Sequence, residues 1–116
     1  MTRLCLPFAL FLVLLILPSG AHAASCSLKG KERTLGPTYT TKLTVKGTSC
    51  RSGQRFVRAY YKCRKANGGT DGRCRKRVGG YACRERRTNV IRTQFDASVS
   101  CRKGKRRINH RYTQFT

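Results

Sequence analysis

Acidic side chains are nearly absent from this chain. Glu32, Asp71, Glu85 and Asp96 stand against 26 lysines and arginines in 116 residues, a formal net charge of +22. A field of that sign repels cations and draws in polyanions: nucleic acid, acidic lipid, envelope polymers, sulfated glycans. Solubility alone needs a net charge of only roughly 2 to 8 in a small domain, so the excess points to an anionic partner. Histidine is scarcer still, at His22 and His110, which leaves little material for acid–base catalysis. No C-x-x-C occurs, and the cysteine gaps of 24, 13, 11, 9 and 18 residues after Cys26 fit no common zinc module. No metal and no cofactor is expected. Large apolar residues are also few. From Ala24 onward Leu, Ile, Val and Phe supply 13 of 93 residues, a composition that with this charge would by itself suggest disorder.

One long apolar run exists, and it lies at the start. Leu4 to Leu17 follows a short positive beginning at Met1 and Arg3, and Pro18 and Gly20 end it. Ala21-His22-Ala23 then places small residues where a signal peptidase reads them, so residues 1–23 are expected to be a secretory signal and 24–116 a single small cationic domain. At about 14 residues the run is too short for a membrane-spanning helix, which needs roughly 20. Removing it takes Cys5 away and leaves six cysteines: Cys26, Cys50, Cys63, Cys74, Cys83 and Cys101. An even count in a small exported chain predicts three disulfides in an oxidising compartment. Those crosslinks reverse the expectation of disorder and staple a thin core.

The local patterns predict an α+β fold with the order β-α-β-β-β. Residues 24–37 read as irregular, tethered by Cys26. Tyr39, Thr41, Leu43 and Val45 alternate with Thr40, Lys42, Thr44 and Lys46, the period of a strand with one wet face. Phe56, Tyr60 and Cys63 fall at i, i+4 and i+7, which predicts an amphipathic helix of about 14 residues. Ser49 or Ser52 is its candidate N-cap and Asn67-Gly68-Gly69 its end. Gly53 disfavours an earlier start than Ser52, because glycine costs about 1 kcal/mol in a helix interior. Residues 67–80 read as a Gly-rich basic loop, 81–86 as a short strand and 88–93 as ambiguous. Phe95, Ala97, Val99 and Cys101 alternate, as do Arg106, Ile108, His110 and Tyr112, with Lys103-Gly104 as the turn between them. An intact helix would hold Cys50 and Cys63 about 20 Å apart, far beyond disulfide reach. Six cysteines allow fifteen connectivities, and the sequence does not choose among those that remain; one that ties both helix ends to the sheet pairs Cys50 with Cys101 and Cys63 with Cys83, leaving Cys26 with Cys74.

Basic residues come in three linear clusters, and these are the candidate polyanion-binding residues: Arg73, Arg75, Lys76 and Arg77; Arg84, Arg86 and Arg87; Arg102, Lys103, Lys105, Arg106 and Arg107. Arginine's planar fork suits bidentate contact with phosphate. The expected partner is an anionic polymer or surface, whether envelope polymer, nucleic acid or acidic lipid, bound by a monomer.

Taken together, Thr48-Ser49-Cys50, Gly53-Gln54-Arg55, Val57, Ala59, Tyr60, Gly80-Tyr81-Ala82-Cys83, Val99-Ser100-Cys101, Gly104 and Ile108 resemble small secreted proteins encoded in actinobacterial genomes. Those carry a Cys-capped helix, a Gly-aromatic-x-Cys strand and a closing V-x-C-x-x-G hairpin. The similarity spans about residues 38–113 and implies an exported globular domain, with no site residue attached. The basic clusters, Cys26 and Cys74 depart from that pattern.

Three other functions compete with plain polyanion binding. A cationic antimicrobial or toxin-like protein needs only charge and some apolar surface. A secreted inhibitor or interaction module needs a protruding disulfide-fixed loop, for which residues 67–80 qualify. A small metal-independent ribonuclease needs a base, an acid and a cation near the developing phosphorane, for which Glu85, His110 and Arg87 or Arg92 are the available set. The composition favours a non-enzymatic binder.

Overall fold

A computed structural model describes residues 22–116; the apolar run of the expected signal lies outside them. The fold is α+β: one helix packed on a five-stranded antiparallel sheet. Strands β1 (Ala24–Ser25) and β2 (Tyr39–Lys46) precede helix α1 (Cys50–Ala66), and β3 (Ala82–Ile91), β4 (Gln94–Lys103) and β5 (Arg106–Phe115) follow it. The spatial order is β1-β2-β5-β4-β3. Among the described residues no helix is long and apolar enough to cross a membrane.

The alternating runs become the inner face of the sheet. Phe95, Ala97, Val99 and Cys101 on β4 and Ile108, His110 and Tyr112 on β5 are buried, as expected from period 2. Strand β2 departs from strict alternation. Its pairing with β5 shifts between Thr40 and Lys42, a bulge that turns Thr40 inward with Leu43 and Val45 and leaves Thr41 exposed. Strand β3 is longer than the sequence suggested. The ambiguous stretch continues it to Ile91, and the hairpin turns at Arg92-Thr93. The second hairpin turns one residue later than expected, at Gly104-Lys105, where Gly104 takes φ 58°.

Helix α1 begins at Cys50, two residues before the expected start. The Ser49 hydroxyl accepts from the Ser52 backbone N–H at 3.1 Å and caps it. Gly53 lies inside the first turn because the helix crosses β2 there. A Cβ on Gly53 would stand 2.7 Å from Val45 Cγ1, so the close approach outweighs glycine's poor helix propensity. Phe56, Val57, Tyr60 and Cys63 complete the buried stripe with Gly53 and Arg64, and Leu28, Leu35, Val78 and Tyr81 close the core from the loops.

The six cysteines form three disulfides, but none of the pairs Cys50–Cys101, Cys63–Cys83 and Cys26–Cys74. The bonds are Cys26–Cys50, Cys63–Cys74 and Cys83–Cys101. The start of the helix is tied to Cys26, which follows β1 and whose backbone N–H donates to the Leu43 carbonyl of β2, and its last turn to Cys74 in the loop that follows it. Cys83 and Cys101 face one another directly across β3 and β4, which only the strand register could decide. Such crosslinks belong to an oxidising, extracellular-type environment.

Behind the helix C-terminus, the first half of the 67–80 loop folds onto the sheet. Gly72 is buried there. A Cβ at this position would overlap the Arg64 carbonyl oxygen and stand 2.8 Å from the Asn67 carbonyl oxygen. Both obstacles are backbone. Gly72→Ala is expected to lower stability by about 1–3 kcal/mol, as overpacking does, and to lower the thermal midpoint. A midpoint equal to the parent's would show that the loop moves freely.

Candidate anion-binding face

Strand alternation divides the polar residues of the sheet between two faces. The inner set lies beneath the helix. Glu85, on an inward position of β3, has a side chain only 6% exposed. Its carboxylate accepts from the Tyr60 hydroxyl at 3.2 Å, from the Tyr112 hydroxyl, and from Arg87 Nε at 2.8 Å, with Arg73 Nη1 at 3.6 Å. Arg87 also donates to the carbonyls of Asp71 and Gly72 at 2.8 and 2.7 Å, and its guanidinium lies 4.0 Å over the Phe95 ring. Arg87 therefore binds the fold together and is withdrawn from the expected polyanion-binding set.

Arg64 is the residue that pattern reading passed over. It is fully buried, donating to the Thr70 carbonyl at 3.1 Å and to Gln114 Oε1 at 3.0 Å, with its guanidinium 4.3 Å over the Tyr112 ring. Its place four residues after Tyr60 puts it on the apolar stripe, a signal that its charge obscured. Burial is the main cause that raises the pKa of both Tyr60 and Tyr112, and the Glu85 carboxylate adds to it. Both phenols stay protonated as donors.

His110 lies between Tyr60 and Tyr112, with ring centroids 5.3 and 5.9 Å away, and is 2% exposed. Burial first, and the Arg64 charge second, push its pKa down to about 3. The folded protein thus holds neutral imidazole, while the unfolded chain titrates near 6.5. A depressed folded-state value means that the contribution is intact above about pH 6.5 and is lost as pH falls toward 3. A loss on the order of 2–3 kcal/mol is expected between pH 7 and 4. Urea midpoints at the two pH values should differ less in His110→Leu than in the parent; an equal difference would exclude His110 as the source.

The outer face has no helix over it. Residues directly opposite on neighbouring strands share a face, and the register places the outward side chains in rows. One row is Arg86–Ser98–Arg111–Lys42, running β3-β4-β5-β2. A second is Ala82–Arg102–Arg107–Lys46. The two are four residues apart, about 13 Å along the strands. Midway between them runs Arg84–Ser100–Asn109–Thr44, where Ser100 Oγ donates to Asn109 Oδ1 at 2.9 Å. The result is a polar trough between two cationic banks. Its floor opens into a groove of about 520 Å³ edged by Lys42, Arg84, Arg86 and Arg111.

Lys42, Lys46, Arg84, Arg86, Arg102, Arg107 and Arg111 are all exposed. Among the described residues the only ion pairs are those of Glu85 with Arg73 and Arg87, so none of these seven is ion-paired; Asp96, one outward row beyond Arg86 and Arg111, is bonded to Thr113 and Asn89. Arg102 faces Arg107, Arg107 faces Lys46, and Arg111 faces Lys42. Like charges directly opposite across strands are destabilising.

The linear basic clusters are thus split. Arg84, Arg86, Arg102 and Arg107 reach the open face. Lys103, Lys105 and Arg106 gather at the β4–β5 turn, with Lys103 Nζ 3.4 Å from the Gly79 carbonyl oxygen. Arg75, Lys76 and Arg77 are exposed on the Cys74 loop, a separate surface, and Arg73 leans toward Glu85. Lys42, Lys46 and Arg111 join the face although no linear cluster contains them. Their one sequence signal is an outward position in an alternating run. No protein-family model, no curated protein and no solved structure matches this chain.

Proposed function

We propose that this is an exported, non-enzymatic protein that binds polyanions through the open face of its sheet. The observation that carries this reading is the facing of like charges across β2, β5 and β4 with no carboxylate between them. That arrangement costs the fold stability, and anionic groups seated along the two banks would relieve it. Ser98, Ser100, Asn109 and Thr44 in and beside the trough add neutral hydrogen-bonding groups suited to phosphate or sulfate oxygens. No aromatic side chain stands in the three rows, so bases have no stacking platform there. Charge is read and sequence is not.

The set once available for RNA cleavage supports this reading from the other side. Glu85, Arg87 and His110 do come together, but under the helix, where Glu85 accepts from two buried phenols and Arg87. They present no open base to a substrate. The loop that could serve an inhibitor is drawn onto the sheet over its first half by Arg87.

The test uses the mature chain and long-chain polyphosphate. Replacing Lys42, Arg86 and Arg111 by Gln should weaken binding far more than replacing Lys103, Lys105 and Arg106, although both variants lose three charges. Equal losses would mean that net charge, and not this face, is what binds.

A further inference from the structure

The open face ends in an apolar margin. Among the described residues the exposed large hydrophobics are Val90, Ile91 and Phe115, at 66%, 60% and 48%. All three lie at one end of the sheet. Ile91 pairs with Gln94, and Gln94 with Phe115, so Ile91 and Phe115 flank Gln94 in a single outward row. Phe115 continues into the Tyr39 ring, 5.8 Å away, over which Arg33 places its guanidinium at 4.7 Å. Val90 stands beside this row, where the β3–β4 pairing shifts between Thr88 and Ile91 and Asn89 takes φ 50°. The bulge leaves Val90 outside the β3–β4 pairing and largely exposed.

Apolar side chains grouped on an otherwise strongly cationic molecule signal a contact. Arg92 lies in the adjoining turn, and Arg86 and Arg111 begin about 13 Å farther along the same face. Asp96 stands on this face with its carboxylate occupied by Thr113 Oγ1 at 2.6 Å and Asn89 Nδ2 at 2.9 Å, and exposed Glu32, next to Arg33, is a second acidic side chain near the margin. Apolar tip and flanking cations match the boundary between headgroups and acyl chains of an anionic bilayer, where such surfaces bind by apolar burial plus charge. A soluble polyanion would use the banks and leave Val90, Ile91 and Phe115 without a role.

We infer that the Val90–Ile91–Phe115 margin is a membrane-interface anchor, seated in an anionic bilayer while the two cationic banks meet its headgroups. This rests on the polyanion-binding reading of the open face and names its partner.

The chain has no tryptophan, so Ile91→Trp supplies a single reporter. With vesicles of phosphatidylcholine and phosphatidylglycerol at 3:1, its emission should shift to the blue, and with polyphosphate it should not. The double variant Val90→Ser, Ile91→Ser should lose about tenfold or more in vesicle affinity and keep the parent's polyphosphate affinity within about twofold. Vesicle binding undiminished in the double variant overturns the inference, as does unshifted emission from vesicle-bound Ile91→Trp. A blue shift on self-association without lipid also overturns it, in favour of a second copy of this chain as the occupant. If polyphosphate binds and vesicles do not, the anchor fails and the binding face stands; if neither binds, the reading of the face itself fails.

Discussion

Glu85→Ala is expected to destabilise the protein by about 3–5 kcal/mol, the usual result of removing one partner from a buried ion pair. The carboxylate accepts at once from Tyr60, Tyr112 and Arg87. Its removal strands two phenol donors and a guanidinium whose side chain is only 11% exposed. Arg87 would keep its bonds to the Asp71 and Gly72 carbonyls but lose its counter-charge. Glu85→Gln should lie between Ala and the parent, since an amide oxygen still accepts while its NH₂ group faces the Arg87 donor. Urea unfolding at pH 7 with intact disulfides would measure both. An Ala variant within about 1 kcal/mol of the parent would mean that water or another acceptor replaces the carboxylate, and that the cluster is not what ties β3 to the helix.

Binding to duplex DNA or polyphosphate is expected to collapse with salt. Each phosphate neutralised on duplex DNA releases condensed counterions, with a slope of about −0.9 per contact in log affinity against log salt. Seven open-face cations in full contact would give a slope of roughly −6, and a loss of roughly 10⁴-fold between 50 and 200 mM. Replacing Lys42, Arg86 and Arg111 by Gln removes three of the seven and should bring the DNA slope to roughly −4. These side chains are exposed and make no ion pair. Their loss should leave the fold intact and relieve the Arg111–Lys42 repulsion. Titration of duplex DNA at four or five salt concentrations gives both slopes. Affinity insensitive to salt would turn attention to a protein partner.

The two experiments address opposite faces of one sheet. On β3, Glu85 and Arg87 point under the helix while Arg84 and Arg86 point away from it. Four consecutive charged residues thus divide into a pair held inside and a pair exposed on the open face. The Arg-rich stretch looks uniform as a string, and the one-residue alternation of the pleat separates its members.

Much of the architecture is local and could be read directly. The alternation from Phe95 to Cys101 and from Ile108 to Tyr112 repeats every two residues, and Phe56, Tyr60 and Cys63 repeat at helical spacing. Burial follows such periods wherever one side of an element is covered, so the helix, the C-terminal hairpin and the α+β class were legible. Local rules failed where a long-range contact outweighed them. Gly53 belongs to the helix because Val45 stands too close for a Cβ. Thr40 turns inward because β2 bulges against β5. Arg64 is buried because Gln114, fifty residues away, and the Thr70 carbonyl accept from its two terminal guanidinium nitrogens, while its Nε has no partner.

By itself, the sequence determined the cationic character, the even set of cysteines after Ala24 and the period of each main element. These depend on composition or on neighbours within one or two turns of chain. Only the tertiary structure decided which cysteines pair, which arginines stand in rows and which are held inside. All three depend on strand register and on where the helix crosses the sheet. The same register that sets Cys83 opposite Cys101 sets Arg86, Ser98, Arg111 and Lys42 in one line. No residue in that line is a sequence neighbour of another, because pairing across strands joins positions that only the folded chain brings together.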